Sequence, residues 1–136
     1  MPSNGQQNLE TVMIDFLGAL RPGDFDTAAA LLDPGVVWQG LRQEWACRGR
    51  EEVIDTFRWG LHAHRDVDAL EFLRTADRVV MGARGATLTE IGDERLEGQI
   101  FNVFTLRDGR ITRIDDYRPR SQALAAARIA PDAGWL

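Results

Sequence analysis

The chain has 136 residues and a net charge of −5 at neutral pH, from 16 basic and 21 acidic side chains. This length is typical of one domain, and the acidic balance disfavours a protein that binds nucleic acid through its phosphates, because such proteins need a basic surface. Every basic residue is an arginine, which excludes lysine chemistry, and the single cysteine, Cys47, excludes an internal disulfide and a site built from several thiolates.

Hydrophobic periodicity predicts three helices in the first half of the chain. Apolar residues recur at helical spacing from Leu9 to Leu20, and Pro22 and Gly23 end this run. Asp24 is placed to cap the next helix, since its short carboxylate can accept from free amides of the first turn. The predicted elements are helices at residues 9–20, 25–32 and 50–62, a short strand at 36–38 and a loop at 40–48.

Alternation of apolar and polar residues predicts strands in the second half of the chain. Asp108-Gly109 lies between two alternating runs and predicts a tight hairpin. The predicted elements are strands at 67–73, 78–91, 96–106 and 110–118, and a short helix at 121–129. Three helices around one strand, followed by an antiparallel meander, predict an α+β fold with the helices packed on one face of a curved sheet.

Several motifs in this order resemble the nuclear transport factor 2-like superfamily, and within it the SnoaL-like domain. They are Gly23-Asp24, Leu31-Leu32-Asp33, Gly49-Arg50-Glu51-Glu52-Val53, the run from Phe104 to Ile111, and Ile114-Asp115-Asp116-Tyr117. The resemblance covers about residues 9–120 of a single domain at 1–136, with residues 1–7 and 130–136 as tails. It implies a cone-shaped, curved antiparallel β-sheet that encloses a pocket together with three N-terminal helices.

This superfamily includes ketosteroid isomerase, limonene epoxide hydrolase, polyketide cyclases and non-catalytic binding domains, so the fold alone does not imply a reaction. By resemblance to ketosteroid isomerase, Phe16 stands in place of its oxyanion-hole tyrosine, Gly40 in place of its carboxylate base and Asn102 in place of its protonated acid. Proton transfer of that kind needs the base. We therefore expect no ketosteroid isomerase activity.

Asp116 is the candidate acid–base residue. By resemblance it matches the last-strand Asp of limonene epoxide hydrolase, an enzyme that also uses an Arg and a second Asp on its long middle strand. SnoaL-like cyclases are likewise thought to use a single Asp as base. Strand alternation turns Asp116 and Asn102 toward the same apolar cavity, where loss of water would raise the pKa of the carboxyl group. In the alternative interpretation, Asp116 forms a structural ion pair with Arg118 or Arg84.

The register of the strand predicted at 78–91 stays open. Counting from the hairpin places Gly85 and Thr87 on the pocket face, whereas a one-residue bulge would turn Arg84 inward. The predicted ligand-binding residues share the pocket face of their helix or strand. They are Phe16, Leu20, Trp38, Phe57, Leu61, Thr87, Phe104, Ile114 and Arg118. No metal ion or other cofactor is expected.

These residues predict a protein that binds a small hydrophobic molecule in an apolar pocket, with two hypotheses for its role. In the first it is a cofactor-independent isomerase, cyclase or hydrolase, in which Asp116 is the acid–base residue and Asn102 orients the substrate. In the second it is a non-catalytic module for ligand binding or dimerisation. An open cavity of roughly a few hundred Å³ that reaches Asp116 favours an enzyme or a ligand carrier. A cavity filled by Trp38, Phe57 and Phe104 favours the module.

Residues on the other side of the sheet predict an assembly. Phe101, Val103 and Tyr117 share the convex face, where water would meet them in a monomer. The superfamily that the chain resembles commonly pairs through this face, so we expect a homodimer through it. The apolar runs are shorter than a membrane span, and the first residues lack the pattern of a signal peptide. We therefore expect a cytoplasmic protein that binds neither membranes nor nucleic acid. The use of arginine without lysine points to a GC-rich bacterial genome, so we expect a bacterial protein.

Overall fold

In the computed structural model, the described residues are 4–62, 67–91 and 94–132, with side chains described at 9–59, 67–90 and 94–132. The helices are α1 (Asn4–Leu20), α2 (Phe25–Ala30), α3 (Gly49–His62) and α4 (Arg120–Ala126). The strands are β1 (Leu32–Gln39), β2 (Ala46–Arg48), β3 (Ala69–Arg74), β4 (Arg78–Arg84), β5 (Glu90–Ile91), β6 (Glu94–Arg95), β7 (Gln99–Arg107) and β8 (Arg110–Tyr117). No helix in these ranges is long and apolar enough to cross a membrane.

Six strands form one curved, unclosed sheet in the order β2-β1-β8-β7-β4-β3, and β5 and β6 form a separate hairpin. This arrangement confirms the predicted α+β fold with three N-terminal helices. Neighbouring strands of the sheet are antiparallel except β1 and β8, which run parallel. The β1–β8 register shifts between Leu32 and Val37, where Pro34 has no amide N–H to donate to the ladder.

The concave side of the sheet carries the main hydrophobic core. Phe16 and its neighbours at helical spacing on α1 pack with Phe104, Ile111 and Ile114 of β7 and β8. Because α1 presents apolar residues every three or four positions, one stripe of the helix covers this face. Ile114 is fully buried here and Tyr117 packs on the opposite side, so the predicted alternation along the last strand is confirmed.

Helix α4 covers the convex side of the sheet. Phe101 and Val103 are 0% and 2% exposed there, packed with Ala123 and Leu124. The premise of our dimer prediction, that water would meet this apolar face in a monomer, is therefore wrong. The short helix was itself predicted, but its position depends on tertiary contacts that its local pattern does not specify.

An ion pair holds α4 to the sheet. Glu71 on β3 is 7% exposed, and its two oxygens accept from Arg120 Nε at 3.0 Å and from Arg120 Nη2 at 2.8 Å. A guanidinium that meets both oxygens of a carboxylate fixes distance and direction together. The pair therefore sets the position of this short helix over Phe101.

Several boundaries differ from the prediction. β4 ends at Arg84 because the chain turns there. The Gly85 N–H donates to the Gly98 carbonyl oxygen at 3.0 Å, and the Gly98 N–H donates to the Leu88 carbonyl oxygen at 2.8 Å. Gly98 has a φ of +82°, which glycine adopts at low cost. α1 begins at Asn4, so the prediction of a tail over residues 1–7 is wrong for residues 4–7. In addition, α2 ends at Ala30, β1 begins at Leu32, and β2 lies within the predicted loop.

Candidate functional site

A cavity of about 550 Å³ lies between the concave face of the sheet, α3 and the end of α1. Its lining is mostly apolar and aromatic, with Asp116 and Asn102 on the side of the sheet. The described lining residues are Leu20, Trp38, Gly40, Glu44, Trp45, Ala46, Cys47, Thr56, Phe57, Trp59, Leu88, Leu96, Ile100, Asn102 and Asp116. The space therefore reaches Asp116 and is large enough for a small molecule.

Three strands bring the polar groups of this cavity together. The β7–β8 register sets Asn102 opposite Asp116, and the β1–β8 register sets Trp38 beside Ile114. Asp116 Oδ1 accepts a hydrogen bond from Trp38 Nε1 at 2.8 Å and one from Asn102 Nδ2 at 2.6 Å. Both donors converge on Oδ1. Among the described residues none donates to Oδ2, which is left to receive a proton or a ligand group.

Burial raises the pKa of Asp116 from 3.8 to about 6. Loss of water is the largest cause, since the charged form loses solvation that the cavity wall does not fully replace. The hydrogen bonds from Trp38 and Asn102 lower the pKa because they stabilise the carboxylate, and the negative charge of Asp115 raises it further. The carboxyl group therefore changes its charge close to neutral pH, a property that favours acid–base catalysis.

The ion pair considered between Asp116 and Arg118 does not form. Arg118 is exposed, its Nη1 lies 3.6 Å from Glu94 Oε2, and the same nitrogen donates to the Arg95 carbonyl oxygen at 3.3 Å. The guanidinium thus joins β8 to the β5–β6 hairpin. Asp116 is left with neutral donors at Oδ1.

The sequence leaves two registers open for the strand around Arg84. The structure has the one counted from the hairpin, and the bulge that would turn Arg84 inward is wrong. Met81 pairs with Asn102 and shares its face, so strand alternation turns Arg84 toward the convex side. Thr87 lies exposed in the turn after β4, and Leu88 lines the cavity instead. The prediction that Thr87 faces the pocket is wrong because it assumed a strand that continues past Arg84, whereas the chain turns there.

Aromatic rings form one wall of the cavity. Trp38 and Phe57 both line it and stack with 4.4 Å between ring centroids and 29° between ring planes. Phe16 packs edge-on against Phe57 at 5.4 Å and against Phe104 at 6.4 Å. Phe16, Phe104 and Ile114 are fully buried behind the lining, so these three predicted ligand-binding residues support the wall without lining the cavity.

The mouth of the cavity holds residues outside the predicted set. Trp59 on α3 is 60% exposed, and Glu44 and Trp45 lie in the loop between β1 and β2. The Gln39 side-chain amide donates to carbonyl oxygens of this loop, and the shortest of these hydrogen bonds is 2.8 Å, to the Arg42 carbonyl oxygen. A large aromatic residue on the charged outer face of α3 is the sequence signal that points to this mouth.

Cys47 and Thr56 make a second polar contact in the wall. Thr56 Oγ1 donates to the Glu52 carbonyl oxygen at 2.9 Å, so the Cys47 thiol, 3.1 Å away, donates to Thr56. Among the described residues no three His, Cys, Asp or Glu side chains lie together so as to hold a metal ion. The side chain of Leu61, predicted on the same helix to bind ligand, lies outside the described residues.

Gly40 leaves room for the mouth loop to pass close to the end of β1. A Cβ at this position would lie 2.9 Å from Trp45 Cβ, closer than real contacts come, so a larger residue would displace the loop. The position that the resemblance gives to a carboxylate base therefore has no room for one.

A second, more polar cavity of about 460 Å³, which includes Arg118, shares Gly40 and Asp116 with the first.

Comparison with known proteins agrees with this architecture. A family model of the SnoaL-like domain matches residues 13–114, and no curated protein matches the chain. A candidate polyketide cyclase from Xanthomonas campestris is 20% identical, with a TM-score of 0.62 over 89% of this chain and 97% of that one. Bal32a, from a soil-derived mobile gene cassette, is 26% identical, with a TM-score of 0.61 over 85% and 91%. An NTF2-like protein from Burkholderia xenovorans is 19% identical, with a TM-score of 0.60 over 90% and 95%.

Proposed function

The chain belongs to the SnoaL-like domain family, and we propose that it binds a small hydrophobic molecule in the apolar cavity and exchanges a proton with it through Asp116. One observation carries the proposal: Oδ1 of this carboxyl group is held by two neutral donors, while Oδ2 is left open among the described residues. Trp38 and Asn102 act as positioning residues, because they hold the carboxyl group in one orientation. Asn102 thus serves the acid–base group, whereas the sequence had suggested that it orients the substrate.

The charge state of Asp116 supports this role. With a pKa of about 6, the carboxyl group is mostly ionised above that pH and can take a proton from an activated carbon or a hydroxyl group of the ligand. Once protonated, it can return the proton to a neighbouring ligand atom. A general base is most effective when its pKa lies near the working pH. This pKa supports Asp116 as the group that moves the proton in an isomerase or a cyclase reaction.

Epoxide hydrolysis is less well supported. In limonene epoxide hydrolase, the resemblance implies an Arg and a second Asp beside the last-strand Asp. Here Arg84 lies on the convex side of its strand, and Thr87 lies in an exposed turn. Ketosteroid isomerisation is not proposed, because Gly40 occupies the place of its base.

A non-catalytic ligand carrier is the second candidate. An open, aromatic cavity binds a ligand whether or not a proton moves, so the volume of about 550 Å³ favours a carrier as much as an enzyme. The same volume disfavours the packed module, in which Trp38, Phe57 and Phe104 would fill the space. The proton transfer itself separates the enzyme from the carrier.

A nitrobenzisoxazole tests Asp116 without knowledge of the natural substrate. A general base removes the C–H proton of the isoxazole ring, that electron pair forms the nitrile, and the N–O bond breaks. The electron pair of that bond stays on the ring oxygen, so the product is a single coloured cyano-nitrophenolate. We expect turnover that rises with pH through an apparent pKa of about 6. Asp116→Asn should lower the rate by about 100-fold or more, the usual contribution of a positioned base.

Asp115→Asn is the matched control for this experiment. Asp115 is the next carboxylate along β8, on the opposite face, where Arg113 Nε lies 2.9 Å from its Oδ2. This variant should keep most of the turnover. Equal rates in Asp116→Asn and the wild type would exclude proton transfer by Asp116 and leave the carrier as the better candidate.

The homodimer and the cytoplasmic location stay predictions. Since α4 covers the convex face, a dimer needs another surface than the one the sequence suggested. The apolar side chains that remain exposed include Ile14, Leu70 and Phe72, at 70%, 53% and 48%.

A further inference from the structure

The charge of the cavity wall is one-sided. Two carboxylates, Glu44 and Asp116, line it. All 16 basic residues of the chain are arginines, and none of the described lining residues is an arginine. The hydrogen-bond donors to Asp116 are the neutral side chains of Trp38 and Asn102. The ionised carboxylate therefore has no cation beside it within the described cavity wall.

Two arginines close to the cavity are directed to a carboxylate outside it. Arg42 lies over the ring of Trp45, 5.3 Å from its centroid, and donates to Glu94 Oε1 at 3.0 Å. Arg118 Nη1 lies 3.6 Å from Glu94 Oε2. Glu94 draws both guanidinium groups to the outside of the lining, so neither of them lies beside the carboxylate of Asp116.

The aromatic lining would attract a cation independently of the carboxylates. Trp38 and Phe57 form one wall, and Trp45 and Trp59 lie at the mouth. The face of an aromatic ring carries negative electrostatic potential, so a positive group near such rings gains energy, more so where water is excluded. The shape and the charge of the cavity thus favour the same kind of ligand.

We propose that the ligand of this cavity carries a positive charge: a small aromatic or alicyclic ammonium that donates an N–H to Asp116 Oδ2 and packs its ring among the aromatic side chains. This rests on the proposed function in taking the cavity as the ligand site. A carboxylate or phosphate in the same place would face Asp116 and Glu44 without a counter-charge, and like charges at short range repel. A neutral ring would bind through its apolar area alone.

Three probes with one naphthalene ring separate charge from shape: naphthylmethylammonium, naphthylmethanol and naphthoate. Titration calorimetry on the full chain slightly above neutral pH should give a Kd for the ammonium on the order of tenfold lower than for the alcohol. Naphthoate should bind most weakly. Naphthoate that binds as tightly as the ammonium overturns the proposal, and so does failure of all three probes to bind.

Variants assign the attraction to one carboxyl group. Asp116→Asn should bind the ammonium and the alcohol alike, whereas Asp115→Asn, on the opposite face, should keep the tenfold preference. Lowering the pH through about 6 should weaken ammonium binding to the wild type, because Asp116 becomes neutral, and should leave alcohol binding unchanged. A preference for the ammonium that survives in Asp116→Asn overturns the contact with Oδ2.

Failure of the ligand class can be distinguished from failure of proton transfer. Asp116-dependent turnover of the nitrobenzisoxazole without any preference for the ammonium overturns the charge selectivity and leaves proton transfer in place. A preference for the ammonium that Asp116→Asn abolishes, without Asp116-dependent turnover, supports the ligand class and makes the protein a carrier.

Discussion

Glu71 and Asp116 lie on opposite faces of the sheet, and the two carboxyl groups differ in what faces the charge. On the convex side, Glu71 accepts from two nitrogens of Arg120 at 3.0 and 2.8 Å. On the concave side, Asp116 accepts from the indole of Trp38 and the amide of Asn102. The first carboxylate faces a cation, whereas the second is held only by neutral hydrogen-bond donors.

This difference separates a structural group from a chemically active one. A guanidinium keeps its charge at any ordinary pH, so the Glu71–Arg120 pair holds one charge state and one geometry. Neutral donors replace only part of the lost hydration, so the pKa of Asp116 rises to about 6 and its charge can change near neutral pH. The ionised form of Asp116 lowers the stability of the fold, a cost that is typical of functional sites.

The largest effect is expected where the ion pair is broken. Glu71→Gln removes the charge that faces the largely buried guanidinium of Arg120, which should lower the free energy of unfolding by about 4 kcal/mol in urea denaturation. Glu10→Gln is the control, because Glu10 pairs with Arg74 at 2.9 Å on the surface. It should change that free energy by less than about 1 kcal/mol. Equal losses in the two variants would contradict the structural role of the buried pair.

The opposite sign is expected for Asp116→Asn at neutral pH. The folded-state pKa of about 6 lies above the ordinary value of 3.8, so the folded protein binds this proton more tightly than the unfolded chain. The wild type therefore loses stability as the pH rises from about 4 to about 6, and the loss then levels off. A shift of about 2 pKa units corresponds to roughly 3 kcal/mol.

Because the variant cannot ionise, it should be more stable than the wild type at neutral pH by up to about 3 kcal/mol, and the difference should vanish near pH 4. Urea denaturation at the two pH values measures both. If the variant is less stable than the wild type at neutral pH, the charged carboxylate of Asp116 stabilises the fold, and Asp116 has a structural role like that of Glu71.

The pairing of Asn102 with Asp116 could be predicted from the sequence. The Asp108-Gly109 hairpin marks how two strands meet, and alternation then decides which side chains share a face. The structure places the two residues opposite each other, with their side-chain atoms 2.6 Å apart. Local patterns are enough here because the two strands are neighbours in the chain.

Contacts between distant segments could not be predicted in this way. Trp38 reaches Asp116 because β1 and β8 run parallel, and a parallel pair has no tight turn in the sequence to mark it. Arg118 meets Glu94 because the chain turns at Gly85 and forms the small β5–β6 hairpin. The sequence shows an Ala-rich helix near the end, but no local pattern places that helix on the convex face.

The smallest effect is expected at the indole of Trp38, one of the two neutral donors to Asp116. Trp38→Phe removes the N–H that donates to Oδ1 at 2.8 Å and keeps a ring to pack on Phe57. Because that hydrogen bond stabilises the charged form, its loss should raise the pKa of Asp116 above about 6. NMR titration of the carboxyl carbon measures this directly, and Trp59→Phe controls for the loss of an indole at the mouth. If Trp38→Phe leaves the pKa unchanged or lowers it, Asn102 alone supports the carboxylate, and the contrast with Glu71 becomes larger than the geometry indicates.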